Sequence, residues 1–135
     1  MILVDSDVLI AHLSGVPQAK DWLLHARRDA GRLATSAISV SEVAGGMHSQ
    51  ERHQVVRLLS SLDIFPVSER VGWKAADFMR TYRRSHSGIG LGDFLIAATV
   101  AVEGLELATL NIRHFPMFPD LDAPFDLLRS DDERG

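Results

Sequence analysis

Four short apolar runs, at residues 2–4 (ILV), 33–37 (LATSA), 63–67 (DIFPV) and 106–110 (ELATL), are separated from one another by stretches of helical period. That alternation constrains the fold more than any other feature of the chain. Strands divided by helix-length crossovers pair in parallel, and the apolar faces of helices and sheet then bury one another in layers. The expected architecture is α/β: a short central parallel sheet of four strands, or five if 125–128 (FDLL) joins, flanked by helices. Helices are expected at about 7–13, 17–31, 39–45, 50–62, 68–84 and 91–103. Pro17 opens the second at a position where its missing N–H costs nothing, and Pro66 confines the third run to a sheet edge or strand end.

A chain of 135 residues holds one core and not two. Residues 1–128 read as the domain and 129–135 as an acidic polar tail. The absence of cysteine excludes a disulfide scaffold, a thiolate zinc site and a cysteine nucleophile. The opening MILV meets an aspartate at position 5, unlike a signal peptide, and no stretch is long and apolar enough for a membrane span. A soluble cytoplasmic protein with no membrane partner is therefore expected.

The net charge of −4 is unevenly spread. Residues 120–135 supply all of it, with six acids against Arg129 and Arg134, while residues 52–84 carry seven basic groups against three acids. Overall acidity therefore leaves room for a nucleic-acid partner on a local basic face. Arg80, Arg83 and Arg84, with Tyr82 between them and His86 beyond, form one basic, aromatic-bearing segment suited to phosphate contact and base stacking. Solvated helix ends often carry the same residues.

Three acids stand out. Asp5 ends the first strand, at the edge where open parallel sheets bind ligands; Asp7 is the better candidate to cap the following helix. Glu42 closes Ser39-Val40-Ser41-Glu42, whose spacing fits a capping box. Asp93 is harder to explain as structure. It is the one charged residue from Ser85 to Val102, on a helix apolar nearly all round (Phe94, Leu95, Ile96, Ala97, Ala98, Val100). A carboxylate there is partly buried, and burial of an ion without a partner is costly. Helices that follow strands of a parallel sheet begin on one side of it, so Asp5, Glu42 and Asp93 are expected to converge despite separations of 37 and 51 residues. Clustered carboxylates suit a hard cation, Mg²⁺ or Mn²⁺, and the six histidines show no H-x-x-x-H spacing that would favour zinc. Thr109-Leu110-Asn111 lies at the end of the fourth strand, at the same edge, where Asn111 is either a turn residue or accepts a metal-bound water or ligates through its carbonyl.

In that order the segments MILVDSDVLIAHL, ISVSEVAGG and GLGDFLIAATVAVEGLELATLNIRHF resemble the motifs of PIN domains, in particular the VapC-type toxins of bacterial toxin–antitoxin pairs. The resemblance covers residues 1–128, with Asp5, Glu42, Asp93 and Asn111 at the four motif positions. Two positions depart from it: Asp7, where the family often has Asn, and Asn111, where it often has an acid. The resemblance implies a Mg²⁺-dependent endoribonuclease, Mn²⁺ substituting, that leaves a 5′-phosphate and a 3′-hydroxyl. Asp5 and Asp93 would hold the metal, Glu42 and Asn111 would join them in catalysis, and Ser6, Asp7 and Thr109 would orient them. A homodimer and a small antitoxin, its tail in a groove near the active site, are implied as partners. Val4-Asp5-Ser6-Asp7 also resembles the nucleophile motif of haloacid-dehalogenase-type phosphatases. Here it continues into Val8-Leu9 rather than Gly-Thr, and Lys74 is the one lysine of the second half. A non-catalytic RNA- or antitoxin-binding module, its acids serving as helix caps, is the other alternative.

Overall fold

The structure, a computed structural model, describes residues 1–127. Leu128 and the tail assigned to 129–135 lie outside the described residues. Four strands, β1 (Ile2–Val4), β2 (Ala34–Ser36), β3 (Asp63–Phe65) and β4 (Glu106–Ala108), form one parallel sheet in the order β3-β2-β1-β4. Leu3 pairs with Ala34 on one side and with Leu107 on the other, so β1 is central. Residues 125–127 lie outside the sheet, and no fifth strand forms among the described residues. Phe125 instead packs against the cluster around Val4, Val8 and Leu9.

Six α-helices connect and cover the strands: α1 (Ser6–Leu13), α2 (Pro17–Ala30), α3 (Ala37–Gly45), α4 (Arg52–Ser60), α5 (Glu69–Tyr82) and α6 (Leu91–Glu103). The period of two along β1 divides the core. Leu3 packs with Ala34, Leu107, Phe115 and the Ile96, Ala97 and Val100 side of α6. Val4 points the other way, into Val8, Leu9, Leu33, Val43, Val55 and Leu62 from α1, α3, α4 and their flanks. The opposite side of α6, Phe94 and Ala98, packs on Val71 and Ala75 of α5. This explains why α6 lacks a polar face: it is the middle layer, with sheet on one side and α5 on the other. Gly104, with φ of +65°, ends α6 in the left-handed conformation that only glycine adopts without strain. The turn returns the chain directly into β4. Among the described residues no helix is long and apolar enough to cross a membrane.

Candidate active site

β1, α1 and the turn after β4 build the deepest part of the site. Asp5 is 4% exposed and takes an extended backbone at the end of β1 (φ −71°, ψ 157°). From there its Oδ1 accepts the Ser6 amide N–H at 2.8 Å, so Asp5 is the N-cap of α1. The cap expected at Asp7 is thereby corrected by two residues. The helix starts at Ser6 because strand and helix share a junction with no loop between them. Asp7, in the first turn, reaches across to the β4 edge, where its Oδ2 accepts the Leu110 N–H at 3.0 Å. Its Oδ1 is buried without a hydrogen-bond partner.

The Thr109 hydroxyl joins the two aspartates. It lies 2.7 Å from Asp5 Oδ2 and 3.1 Å from Asp7 Oδ2, and accepts the Asn111 N–H at 3.1 Å. One hydroxyl has one proton to donate, so both contacts are satisfied only when an aspartate brings a proton of its own. The electrostatics agree. Burial, followed by the Asp5 charge, pushes Asp7 up to about 6. Burial also raises Asp5; the Thr109 hydroxyl and Ser6 amide pull it back, and the Asp93 charge adds to the rise.

Glu42 arrives from α3, and not as a cap. Helix α3 begins at Ala37, with Ser36 Oγ accepting the Ile38 N–H at 3.1 Å, three residues before the Ser39 expected to cap it. Ser39 and Glu42 are both interior to the helix, and Ser39 Oγ is buried without a partner. The capping-box reading therefore fails, and the carboxylate is free to turn into the site. There Oε1 accepts the Ser6 hydroxyl at 3.0 Å. Burial of that end raises its pKa, the Ser6 hydroxyl opposes, and the charges of Asp5 and Asp93 raise it further.

Asp93 enters from the first turn of α6, where its Oδ2 accepts the Gly90 N–H at 3.3 Å. The same oxygen lies 3.0 Å from His114 Nδ1. The sequence reading had no histidine beside the acids, so this pairing is the residue it missed. The signal was present in Asn111-x-x-His114. Residues 112–114 form a 3₁₀ turn, in which positions three apart eclipse, and the Asn111 amide indeed sits 2.8 Å from Nδ1. Asn111 thus meets His114 and, through its backbone, Thr109. The loop into α6 passes beside the ring: Gly88, at φ +86°, would place a Cβ 3.8 Å from Nε2.

Asp5 at the end of β1, Glu42 on α3 and Asp93 in the first turn of α6 thus come within electrostatic reach of one another. Among the described residues no Lys or Arg is paired with them; their one ion-pair partner is His114. No three His, Asp or Glu side chains stand close enough, as they are, to ligate one cation among these residues. The segment expected to touch RNA lies at the end of α5. Arg80 is paired with Asp77, while Arg83 and Arg84 are exposed and line a concavity with Met79. The Tyr82 ring packs against Phe78 at 6.4 Å and His86 at 5.7 Å, and is half-buried rather than presented as an open face.

Comparison with known proteins bears on both fold and family. The family model described as PIN domain matches residues 2–120. The chain is 59% identical to Ribonuclease VapC10 of Mycobacterium tuberculosis over 93% of both chains. It is 35% identical to Ribonuclease VapC19 of the same organism, over 93% of this chain and 100% of that one. Among solved structures it is similar to a toxin–antitoxin complex from Klebsiella pneumoniae, with a TM-score of 0.74 and 28% identity over 93% of this chain and 99% of that one. It is also similar to FitAcB from Neisseria gonorrhoeae, with a TM-score of 0.68 and 25% identity over 95% and 99%. A parallel sheet with three carboxylates at its carboxyl edge, matched along nearly its whole length by these relatives, places the chain in the PIN domain family, among its VapC-type members.

Proposed function

We propose that the chain is a metal-dependent endoribonuclease, the toxin of a toxin–antitoxin pair, and that Asp5, Glu42 and Asp93 hold the Mg²⁺ (or Mn²⁺) it requires. One observation carries the reading: three carboxylates, from the end of β1, from α3 and from the first turn of α6, lie within electrostatic reach of one another, and among the described residues no Lys or Arg pairs with them. Carboxylate oxygens are the donors a hard divalent cation takes, and its charge would offset the burial and mutual repulsion that raise Asp5 and Glu42. Held by Asp5, Glu42 and Asp93, a divalent cation would supply a water of lowered pKa and a positive charge opposite the scissile phosphate.

The chain's own groups do the rest. Ser6 holds Asp5 by its amide and Glu42 by its hydroxyl, fixing the two carboxylates relative to each other. Thr109 orients Asp5 from the opposite side and ties Asp7 to it. Asn111, the fourth motif residue, anchors that turn through its N–H to Thr109. The exposed Arg83 and Arg84 at the end of α5 meet the phosphates of the RNA on its way to the site, while Arg80 is held by Asp77 and Tyr82 packs on Phe78 and His86. In-line attack with the 3′ oxygen leaving gives a 5′-phosphate and a 3′-hydroxyl.

The name of the M. tuberculosis relative VapC10 supports ribonuclease activity, and the Klebsiella complex supports an antitoxin partner. The antitoxin tail is assigned to the concavity lined by Ile10, Leu13, Met47 and Glu42. A homodimer completes the reading.

The test is RNA cleavage by the purified chain. Asp5→Asn and Asp93→Asn should each lower the rate at least about 1,000-fold, about 4 kcal/mol of transition-state stabilisation, with circular dichroism unchanged, and EDTA should do the same to the wild type. Wild-type rates in either folded variant, or indifference to EDTA, would sink the assignment.

A further inference from the structure

The outer face of α5 carries a side chain that packing does not explain. Trp73 is 69% exposed, more than any other large apolar residue among those described. Burying an indole is among the largest hydrophobic gains a side chain offers, and here it is forgone. The helical period sets the direction. Val71, Ala75, Phe78 and Tyr82 share the side of α5 that packs on α6, while Trp73, Asp77 and Arg80 fall on the opposite side. The ring is nevertheless held. Its Nε1–H donates to Glu69 Oε2, one turn earlier, at 3.1 Å, which fixes the edge of the indole and leaves its surface to solvent.

The surroundings of the ring are basic. Arg70, one turn before it, and Arg83 and Arg84, at the far end of the helix, are exposed and carry no ion pair among the described residues. Helical hydrogen bonding runs on past Tyr82, whose carbonyl accepts the His86 N–H at 3.0 Å. Arg83 and Arg84 therefore stay in line with the strip, and they border one concavity with Ala76, Met79 and Arg80. Both acids of the strip are already engaged, Asp77 by Arg80 and Glu69 by the indole. The same end of α5 leads to the site, since residues 83–90 join it to α6 and Asp93 lies in the first turn of α6.

An apolar protein surface seated on Trp73 would desolvate the arginines around it without neutralising them, which is costly. A single RNA strand meets both demands, because its phosphates answer the charge and its unpaired bases cover the ring. We propose that Trp73 is a base-stacking platform, and that the strip of α5 from Arg70 to Arg84 carries single-stranded RNA to or from the cleaved bond. The inference rests on the ribonuclease reading above and adds a contact remote from the chemistry. Trp73 precedes Arg84 by eleven residues, about 16 Å of helix. The platform therefore acts on how tightly the strand is held, and not on the breaking of the bond. It also selects unpaired RNA, since a base inside a duplex has no free face to offer.

The chain has two tryptophans, and Trp22 packs beside the Val4 cluster, so Trp22→Phe leaves Trp73 as the sole reporter. With EDTA present, a mixed-sequence single-stranded RNA of about 12 nucleotides should quench its fluorescence by about half or more. The same RNA annealed to its complement should not. Trp73→Ala should weaken binding of the single strand about tenfold or more, and Trp73→Phe about threefold or less. In cleavage assays Trp73→Ala should raise KM and leave kcat within about twofold. A single strand that binds without quenching, or that binds Trp73→Ala as tightly as the wild type, overturns the platform and leaves the ribonuclease reading standing. Equal quenching by the duplex overturns the stacking. Quenching that follows protein concentration without RNA, together with self-association lost in Trp73→Ala, assigns the ring to a second copy of the chain and overturns the proposal. Failure of the wild type to bind RNA at all overturns both this proposal and the reading it rests on.

Discussion

Asp5 and Asp93 face the same crevice but are held by opposite means. Asp5 is 4% exposed, and its two oxygens take an amide N–H and the Thr109 hydroxyl at 2.8 and 2.7 Å. Asp93 is about a quarter exposed, with one longer amide contact at 3.3 Å and an imidazole at 3.0 Å. The first carboxylate is fixed by the fold, at the junction of a central strand and its helix, where no backbone freedom remains. The second is presented at a helix start beside a glycine-containing loop and is steadied by a side chain. The inner half of the site is thus a structural network whose members stabilise or strain the protein. The outer half is a set of donors that substitutions should empty at little cost to the fold.

The sharpest test of that division is Thr109→Val, which keeps the shape and deletes the shared hydroxyl. It leaves Asp5 Oδ2 and the Asn111 N–H without their partner in a fully buried place. Each unsatisfied group costs about 1–3 kcal/mol, so a loss of about 2–4 kcal/mol is expected in urea unfolding. His114→Gln, its outer counterpart, should lose less than about 1 kcal/mol. Equal losses would erase the distinction between the halves.

Asp7 sharpens the contrast in the other direction. Its carboxyl moves from 3.8 to about 6 on folding, so between these values the folded chain keeps a proton that the unfolded chain has released. The stability this gives is full below about pH 4 and lost as pH rises through about 6. The whole shift corresponds to about 3 kcal/mol, and partial solvation reduces this to about 1–2 kcal/mol. Asp7→Asn should therefore stabilise the metal-free protein by that amount at pH 8 and by nothing at pH 3.5. Chemical denaturation across the pH range gives the answer. A pH-independent gain would place the effect elsewhere.

The smallest effect is expected at Asn111. It touches the outer half by its side chain and the inner half only by its backbone N–H, which alanine retains. Asn111→Ala should slow RNA cleavage no more than about tenfold, about 1.4 kcal/mol, far less than Asp93→Asn. A loss matching that of Asp93→Asn would make Asn111 a ligand in its own right.

How much of this was legible before folding depends on the range of the signal. The four strands were visible because each is a short apolar run ended by a polar or turn residue, and α6 was located to the residue by its glycines and apolar content. Asp93 stood out because a lone carboxylate in that helix has a local energetic cost. The FDLL segment misled because an apolar run reads alike whether or not an edge is available to it. Glu42 was drawn toward a cap by a spacing that is genuine, but the helix begins earlier, at Ala37 with Ser36 as its cap, where β2 ends and leaves no room for a loop.

The amino-acid sequence by itself determined the layered α/β plan and the convergence of strand-following helices on one edge, because hydrophobic period and chain direction are local properties that every parallel crossover preserves. Tertiary structure alone decided which atoms share protons there. The Ser6–Glu42 contact spans 36 residues and needs β1 beside β2, while the Thr109 contacts span 102 and 104 and exist only once β1 and β4 are in register. The partner of Asp93 was fixed in the same way: the register that sets Val4 opposite Ala108 carries the turn after β4, and His114 with it, up to the start of α6. A register shift of one residue, about 3.3 Å of strand, exceeds the reach of any hydrogen bond and would dissolve every one of these contacts.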